Sequence, residues 1–223
     1  MSDPRPETPD RQERRRARRA ALESLAARVR ELIDATVSTD VEPEEIEAAT
    51  ADVAAVTARL DARRHTGHYS GLLGRDGIDH SAPHRSVPLS PWIGTFNPIA
   101  PPLVLELTDG RVAGRVRLGK PYIGPPATAH GGIVAGIMDQ LLATAGQGAG
   151  TPGVTGAMTV RFRRPTPLYE ELHLAAWAEP RGTASRKRRV HAEIRHGDVV
   201  TAEAEAVLVE SPRLEKPIEN PLA

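Results

Sequence analysis

The stretch GGIVAGIMDQLLATAGQ, residues 131–147, is apolar on nearly every side of a helical projection and both begins and ends among glycines. A helix apolar all round is expected to be buried all round, so it needs a wrapping, and the flanking sequence supplies strands. Upstream, LVLELTDGRVAGRVRL (103–118) alternates on both sides of Asp109-Gly110, a dipeptide suited to a tight turn, and predicts an antiparallel hairpin. Downstream, VTGAMTVRFRRP (154–165), ELHLAAWAE (171–179), RKRRVHAEIRH (186–196) and VVTAEAEAVLVE (199–210) read as four more strands. Turns at Glu179-Pro180-Arg181-Gly182 and His196-Gly197-Asp198 join them as a meander. In the first of the four, Met158, Val160 and Phe162 share one face, and Thr159, Arg161 and Arg163 the other. Two strands, a buried helix and four strands predict an α+β domain over 103–212, an antiparallel sheet wrapped around a central helix.

Working outward, residues 1–10 are proline-rich and charged and are expected to form a disordered tail, and 213–223 a second tail. From Arg11 the pattern turns helical: Leu22, Leu25, Val29, Leu32, Ile33 and Val37 follow steps mostly of three and four. After Ser38, Thr39 and Asp40, with Pro43 placed for a first turn, Ile46, Ala49, Val53, Val56 and Leu60 repeat the spacing. An N-terminal helical hairpin over 11–63 follows. Residues 64–102, rich in proline and glycine, predict an extended connection laid over the surface of the main domain.

The chain has 223 residues and no cysteine, which excludes disulfides, thiolate metal sites and cysteine nucleophiles. Lysine plus arginine and aspartate plus glutamate balance at 29 each, so no nucleic-acid partner is expected. No stretch reaches a membrane span and the N-terminus has no apolar signal core, so a cytoplasmic protein is expected. His65 with His68, and His80 with His84, have ligand-like spacing, yet in a segment without regular structure they predict no metal site.

Chemistry concentrates on one side chain. Asp139 is a carboxylate inside an otherwise apolar helix, where burial without a partner costs several kcal/mol. Either a neighbouring strand or an arginine such as Arg161 satisfies it, or it faces a cavity and is kept for chemistry. His130-Gly131-Gly132 opens the same helix, where unpaired N–H groups favour developing negative charge and glycines admit a close ligand. That suits an oxyanion hole, and equally a tight packing of loop on helix. Eight residues of helix separate Gly131 from Asp139 by about 12 Å. A reacting carbonyl must sit about 3 Å from both the oxyanion donor and the attacking group. If both act on one substrate, they come from two subunits.

At GPPATAHGGIVAGIMDQLL (124–142) and TGAMTVRFRRPTPL (155–168) the sequence resembles the hotdog-fold acyl-CoA thioesterases, in the branch of the phenylacetyl-CoA thioesterases. SPWIGTFNPIAPP (90–102) is similar to the segment leading into the sheet in bacterial members, and the resemblance spans about 90–210. It implies hydrolysis of an acyl-CoA to a carboxylic acid and coenzyme A, without a cofactor, in a homodimer or homotetramer. It implies Asp139 as nucleophile or general base, Gly131 N–H as oxyanion donor, Thr155 as the hydroxyl that orients water or carboxylate, and His130 as a shaper of the loop. Some members carry an Asn six residues before this His, where the present chain has Gly124. Contacts to coenzyme A are expected from Gly132, Asn97, Arg161, Arg163, Arg186 and Lys187, the basic residues being suited to its phosphates. Trp92, Phe96 and Trp177 are the candidates for an aromatic acyl pocket. The other reading is a hotdog that binds or senses acyl-CoA without turning it over, which would not need a carboxylate at 139.

Overall fold

A computed structural model describes residues 8–64, 83–151, 153–180 and 185–210. The strands are β1 (Val104–Thr108), β2 (Arg111–Arg117), a short pair β3 (Ile123–Gly124) and β4 (Thr128–Ala129), β5 (Gly153–Phe162), β6 (Glu171–Ala178), β7 (Lys187–His196) and β8 (Val199–Glu210). The central helix runs Gly131–Gly148. Six strands form one antiparallel sheet in the order β1-β2-β6-β7-β8-β5, and with the central helix against it this is the sheet wrapped around a helix that the sequence predicts.

Local chemistry accounts for the hairpin between β1 and β2. Asp109 and Gly110 both take positive φ, 51° and 73°, the pairing that lets a two-residue turn follow the twist of its strands. The helix-facing side chains then form one core: Leu105, Val112 and Val116 from β1 and β2, Leu172 and Leu174 from β6, Val190 and Ile194 from β7, Leu208 from β8. Against them pack Val134, Ile137, Met138, Leu141 and Leu142 of the helix.

Three expectations need revision. The four later strands are not one meander, because β5 lies beyond β8 at the far edge and only β6, β7 and β8 follow one another. The central helix lies across the sheet and delivers the chain to that edge, and residues 163–170 carry it back to β2. The helix is also not buried all round. Gly132, Ala135, Gly136, Asp139, Gln140, Ala143 and Gln147 run along it as a stripe that one chain leaves half covered or open. These residues are small or polar, so incomplete cover costs little apolar surface.

The third revision concerns the connection to the domain. Its described part, 83–102, does more than lie on the surface: Ile93 enters the core, and Trp92 packs onto the helix at Gly136. A β-carbon at Gly136 would fall 2.1 Å from the Trp92 ring, so only glycine admits this contact. Trp92 is thereby fixed beside the half-covered stripe. Helix α1 (Pro9–Ser38) clamps the segment from outside. Arg30 donates to the carbonyls of Ala100 and Asn97, and Arg19 donates to the Arg85 carbonyl while its guanidinium lies 5.6 Å from the Phe96 ring centre. Helix α2 (Pro43–Asp61) follows after a short link, and none of its residues is buried. The two helices are present as the sequence indicates. Among the described residues α2 does not lie packed along α1.

No described helix is long and apolar enough to cross a membrane.

Candidate active site

Asp139 projects from the half-covered stripe toward β5, where the Thr155 hydroxyl donates to its Oδ1 at 2.8 Å. Strict alternation along β5 would forbid this contact. Met158, Val160 and Phe162 face the helix, so Thr155, at odd spacing from them, should point away. The register shifts between Thr155 and Ala157, a bulge that takes in Gly156, and the face is exchanged there. Thr155 then stands opposite Leu208, whose side chain is in the core, and shares the helix-facing side. One inserted residue brings hydroxyl and carboxylate together.

The start of the helix has a different arrangement. His130 is the N-cap, and its Nδ1 accepts from the Gly132 N–H at 3.0 Å. Ile133 and Val134 both donate to the His130 carbonyl. Of the first-turn amides this leaves Gly131, whose N–H has no partner among the described residues. An unpaired N–H at a helix N-terminus is a donor for negative charge. His130 spends Nδ1 on the cap, which fits a residue that shapes the loop. Beside Gly131 stands Phe162, 58% exposed, whose ring would lie 3.5 Å from a β-carbon at that position.

Gly124 packs against the motif histidine, where any β-carbon would come within 2.8 Å of His130 Cα. This loop cannot hold an Asn there in its present form. Within this loop that leaves the Gly131 N–H as the amide without a partner among the described residues.

The remaining candidates are dispersed. Arg161 and Arg163 lie on the outer face of the sheet, turned from Asp139 and paired with Glu205 (3.1 Å) and Glu203 respectively. Hydrogen bonding to Arg163 holds the exposed Glu203 carboxyl below its ordinary range. Neither arginine reaches Asp139, so the carboxylate is satisfied by Thr155 and not by Arg161. Arg186 donates to the Glu210 carbonyl, and Lys187 opens β7 opposite Val209, at the end of the sheet where β5 begins. Asn97 is structural: its amide donates to the Leu89 carbonyl, its Oδ1 accepts from Ile99 N, and its own carbonyl accepts from Arg30. Trp177 stacks on His191 on the outer face, 5.6 Å between ring centres, and Phe96 lies under Arg19, so of the three aromatic candidates only Trp92 lies against the central helix. His65, His68 and His80 lie outside the described residues, while the His84 Nδ1 stands 3.2 Å from the Leu105 carbonyl oxygen.

Two features, one beside Asp139 and one beside Gly131, escaped the reading of the sequence. Gln140, next to it on the stripe, accepts from Ser90 Oγ at 3.2 Å and reaches Thr144 with its amide, which ties the 83–102 segment to the site. Phe162, at the far end of β5, flanks the free amide. A glycine inside a helix is a sign of close approach, so Gly136 could have indicated that the segment carrying Ser90 and Trp92 packs here.

Comparison with solved structures finds a crystal structure of a thioesterase superfamily protein that is 30% identical, covering 84% of this chain and 90% of its own, with a TM-score of 0.72. The E. coli PaaI protein from the phenylacetic acid degradation operon matches 49% of this chain and 79% of its own at 18% identity and TM-score 0.45. A hypothetical thioesterase from Streptococcus pneumoniae with coenzyme A matches 47% and 83% at 17% identity and TM-score 0.44. No family model and no curated protein matches the sequence.

Proposed function

Since the chain belongs to the thioesterase superfamily, we propose that it hydrolyses an acyl-CoA thioester to a carboxylic acid and coenzyme A, at a site shared between two copies of the chain. The observation that carries this reading is the pairing of Thr155 with Asp139, on a stripe of the helix that a single chain leaves half covered. With Oδ1 engaged by Thr155, Oδ2 is available to a reactant. As a general base it takes a proton from water while the water oxygen attacks the thioester carbon. As a nucleophile it attacks that carbon itself and forms an anhydride that water then opens. In both routes the carbonyl oxygen becomes an oxyanion, and the thiolate of coenzyme A leaves and collects a proton.

The oxyanion needs a donor within about 3 Å. Gly131 has the free amide, but eight helical residues hold it about 12 Å from Asp139 on the same chain. The donor is therefore Gly131 of a second subunit. The edge of β5 supports such a partner: among the described residues β5 pairs with β8 on one side only, and an unpaired sheet edge favours another strand. Pairing there would set the second chain next to Thr155 and Phe162. For coenzyme A, Arg186 and Lys187 remain the basic candidates at that end of the sheet, and Gly132 lies next to the free amide; the arginines engaged by Glu203 and Glu205 are less available to phosphate.

The test is thiol release from a panel of short, aromatic and long acyl-CoAs by the wild-type protein, with its mass measured by sedimentation. Turnover of at least one thioester by an oligomer is expected; no turnover by any, or turnover by a monomer, removes the reading. Thr155→Val, which keeps the shape and deletes the O–H donor, is expected to lower kcat by roughly ten- to a hundredfold, the loss of one hydrogen bond to a charged group. Thr155→Ser should recover most of it. Equal kcat in wild type and Thr155→Val would show that the hydroxyl does not hold the carboxylate during reaction.

A further inference from the structure

Helix α2 has 19 residues, and its apolar positions Ile46, Ala49, Val53, Val56 and Leu60 recur at steps of three and four. This is the a/d pattern of a coiled-coil seam. Yet Ile46, Val53, Val56 and Leu60 are 46%, 42%, 37% and 53% exposed, and no described element packs along them. A helix of this length without tertiary contact is only marginally stable in water, and a seam of this kind is stabilised by burial. We propose that α2 pairs in antiparallel fashion with α2 of a second copy of this chain.

Charge and volume both select that occupant. The first half of α2 and its approach carry Glu42, Glu44, Glu45, Glu47 and Asp52, while the far end carries Arg59, Arg63 and Arg64 against one acid, Asp61, which pairs with Arg64 and leaves that end net positive. Parallel copies would set like charges together, whereas antiparallel copies set each acidic end against a basic one. In an antiparallel seam an a position faces a d position. The register that places Val53 against Val56 of the other copy also places Ala49 against Leu60, a small residue against a large one in each outer layer. In the same register the flanking positions bring Asp52 to Arg59 and Thr50 to Thr57 of the other helix. Every seam residue from Ala49 to Leu60 then has a partner, and no flanking pair repels.

The seam is four turns long at most, so the association is weak and concentration-dependent. It is separate from the proposed hydrolysis, because α2 carries none of the site residues and thiol release is expected to persist in every variant below. Since the chain has no cysteine, single cysteines report the register directly. Mixed full-length Val53→Cys and Val56→Cys proteins, under mild oxidation, are expected to give a covalent dimer on a denaturing gel, with much less from either alone or from Ala51→Cys on the opposite face. Sedimentation over a range of concentrations supplies the second readout. A weak association step beyond the assembly that forms the shared site, seen in the wild type, is expected to be lost in Val53→Asp, in Asp52→Arg and in Arg59→Asp, and to return when the last two are mixed. Absence of the mixed cross-link, persistence of that weaker step in Val53→Asp, or failure of the two charge variants to restore each other overturns the pairing. The last two outcomes would assign the seam to another protein or to a segment of this chain.

Discussion

Asp139→Asn is expected to lower kcat for thioester hydrolysis by a factor on the order of a hundred to ten thousand, the span that a positioned acid–base group contributes. The substitution is close to isosteric. The Asn oxygen still accepts from the Thr155 hydroxyl, so the 2.8 Å contact in the wild type has a counterpart in the variant and the strand stays where it is. What disappears is the capacity to accept a proton from water or to bond to the thioester carbon. Because Asp139 is only half buried and no arginine among the described residues is paired with it, removing its charge leaves no uncompensated partner among them. The melting temperature should therefore change little, and KM should change less than kcat. Thiol release and a thermal melt on the same preparations check both halves. An Asn variant with wild-type turnover would return the carboxylate to a structural role.

The fold was legible because each element carries its own period. Asp109-Gly110 between alternating runs fixes the β1–β2 hairpin, and an apolar stretch bounded by glycines can only be a helix inside a wrapping. The order of strands was less legible, since a meander and a sheet with β5 at the far edge have the same local pattern. What separates them is the path of the helix over the sheet, a tertiary property. The helix also looked buried throughout because alanine and glycine count as apolar, although the stripe of Ala135, Gly136, Asp139 and Ala143 is where cover is incomplete. Small residues leave that choice open in a way that leucine does not.

The site divides along the same line. Asp139 stands out in any reading, since a charge in an apolar helix requires a reason. Its partner was obscured by the rule that reads strands so well: period two places Thr155 with Thr159 and Arg161, and only the register shift at Gly156 reverses it. The resemblance to thioesterases named Thr155 where periodicity would have pointed it outward. Arg161 and Arg163 failed in the opposite sense. Their charge suggested phosphate, but Glu205 and Glu203 lie diagonally across from them on β8, three strands later in sequence, and cross-strand pairing takes up the charge. A basic residue on a strand is free for a ligand only if its neighbour in the sheet is not acidic, and that neighbour is set by topology.

A mixed oligomer tests the division of the site between chains more directly than any single variant. Gly131→Val keeps the backbone N–H but places a branched side chain where the proposed site takes the thioester oxygen, and a β-carbon there meets Phe162 only at ordinary contact distance, so the fold tolerates it. Alone it should be nearly inactive, as should Asp139→Asn alone. When the two proteins are denatured together and refolded, half of the dimers contain one chain of each kind. In such a dimer one site draws its intact Gly131 from the Asn-bearing chain and its intact Asp139 from the Val-bearing chain, while the other site is doubly damaged. Activity should therefore rise from near zero to about one quarter of wild type, by counting sites in a two-fold dimer. If Gly131 and Asp139 of the same chain served one substrate, every site would keep one defect and mixing would restore nothing. The helix itself makes the first outcome the expected one, because its rise of about 1.5 Å per residue places the two groups too far apart for a single carbonyl to touch both.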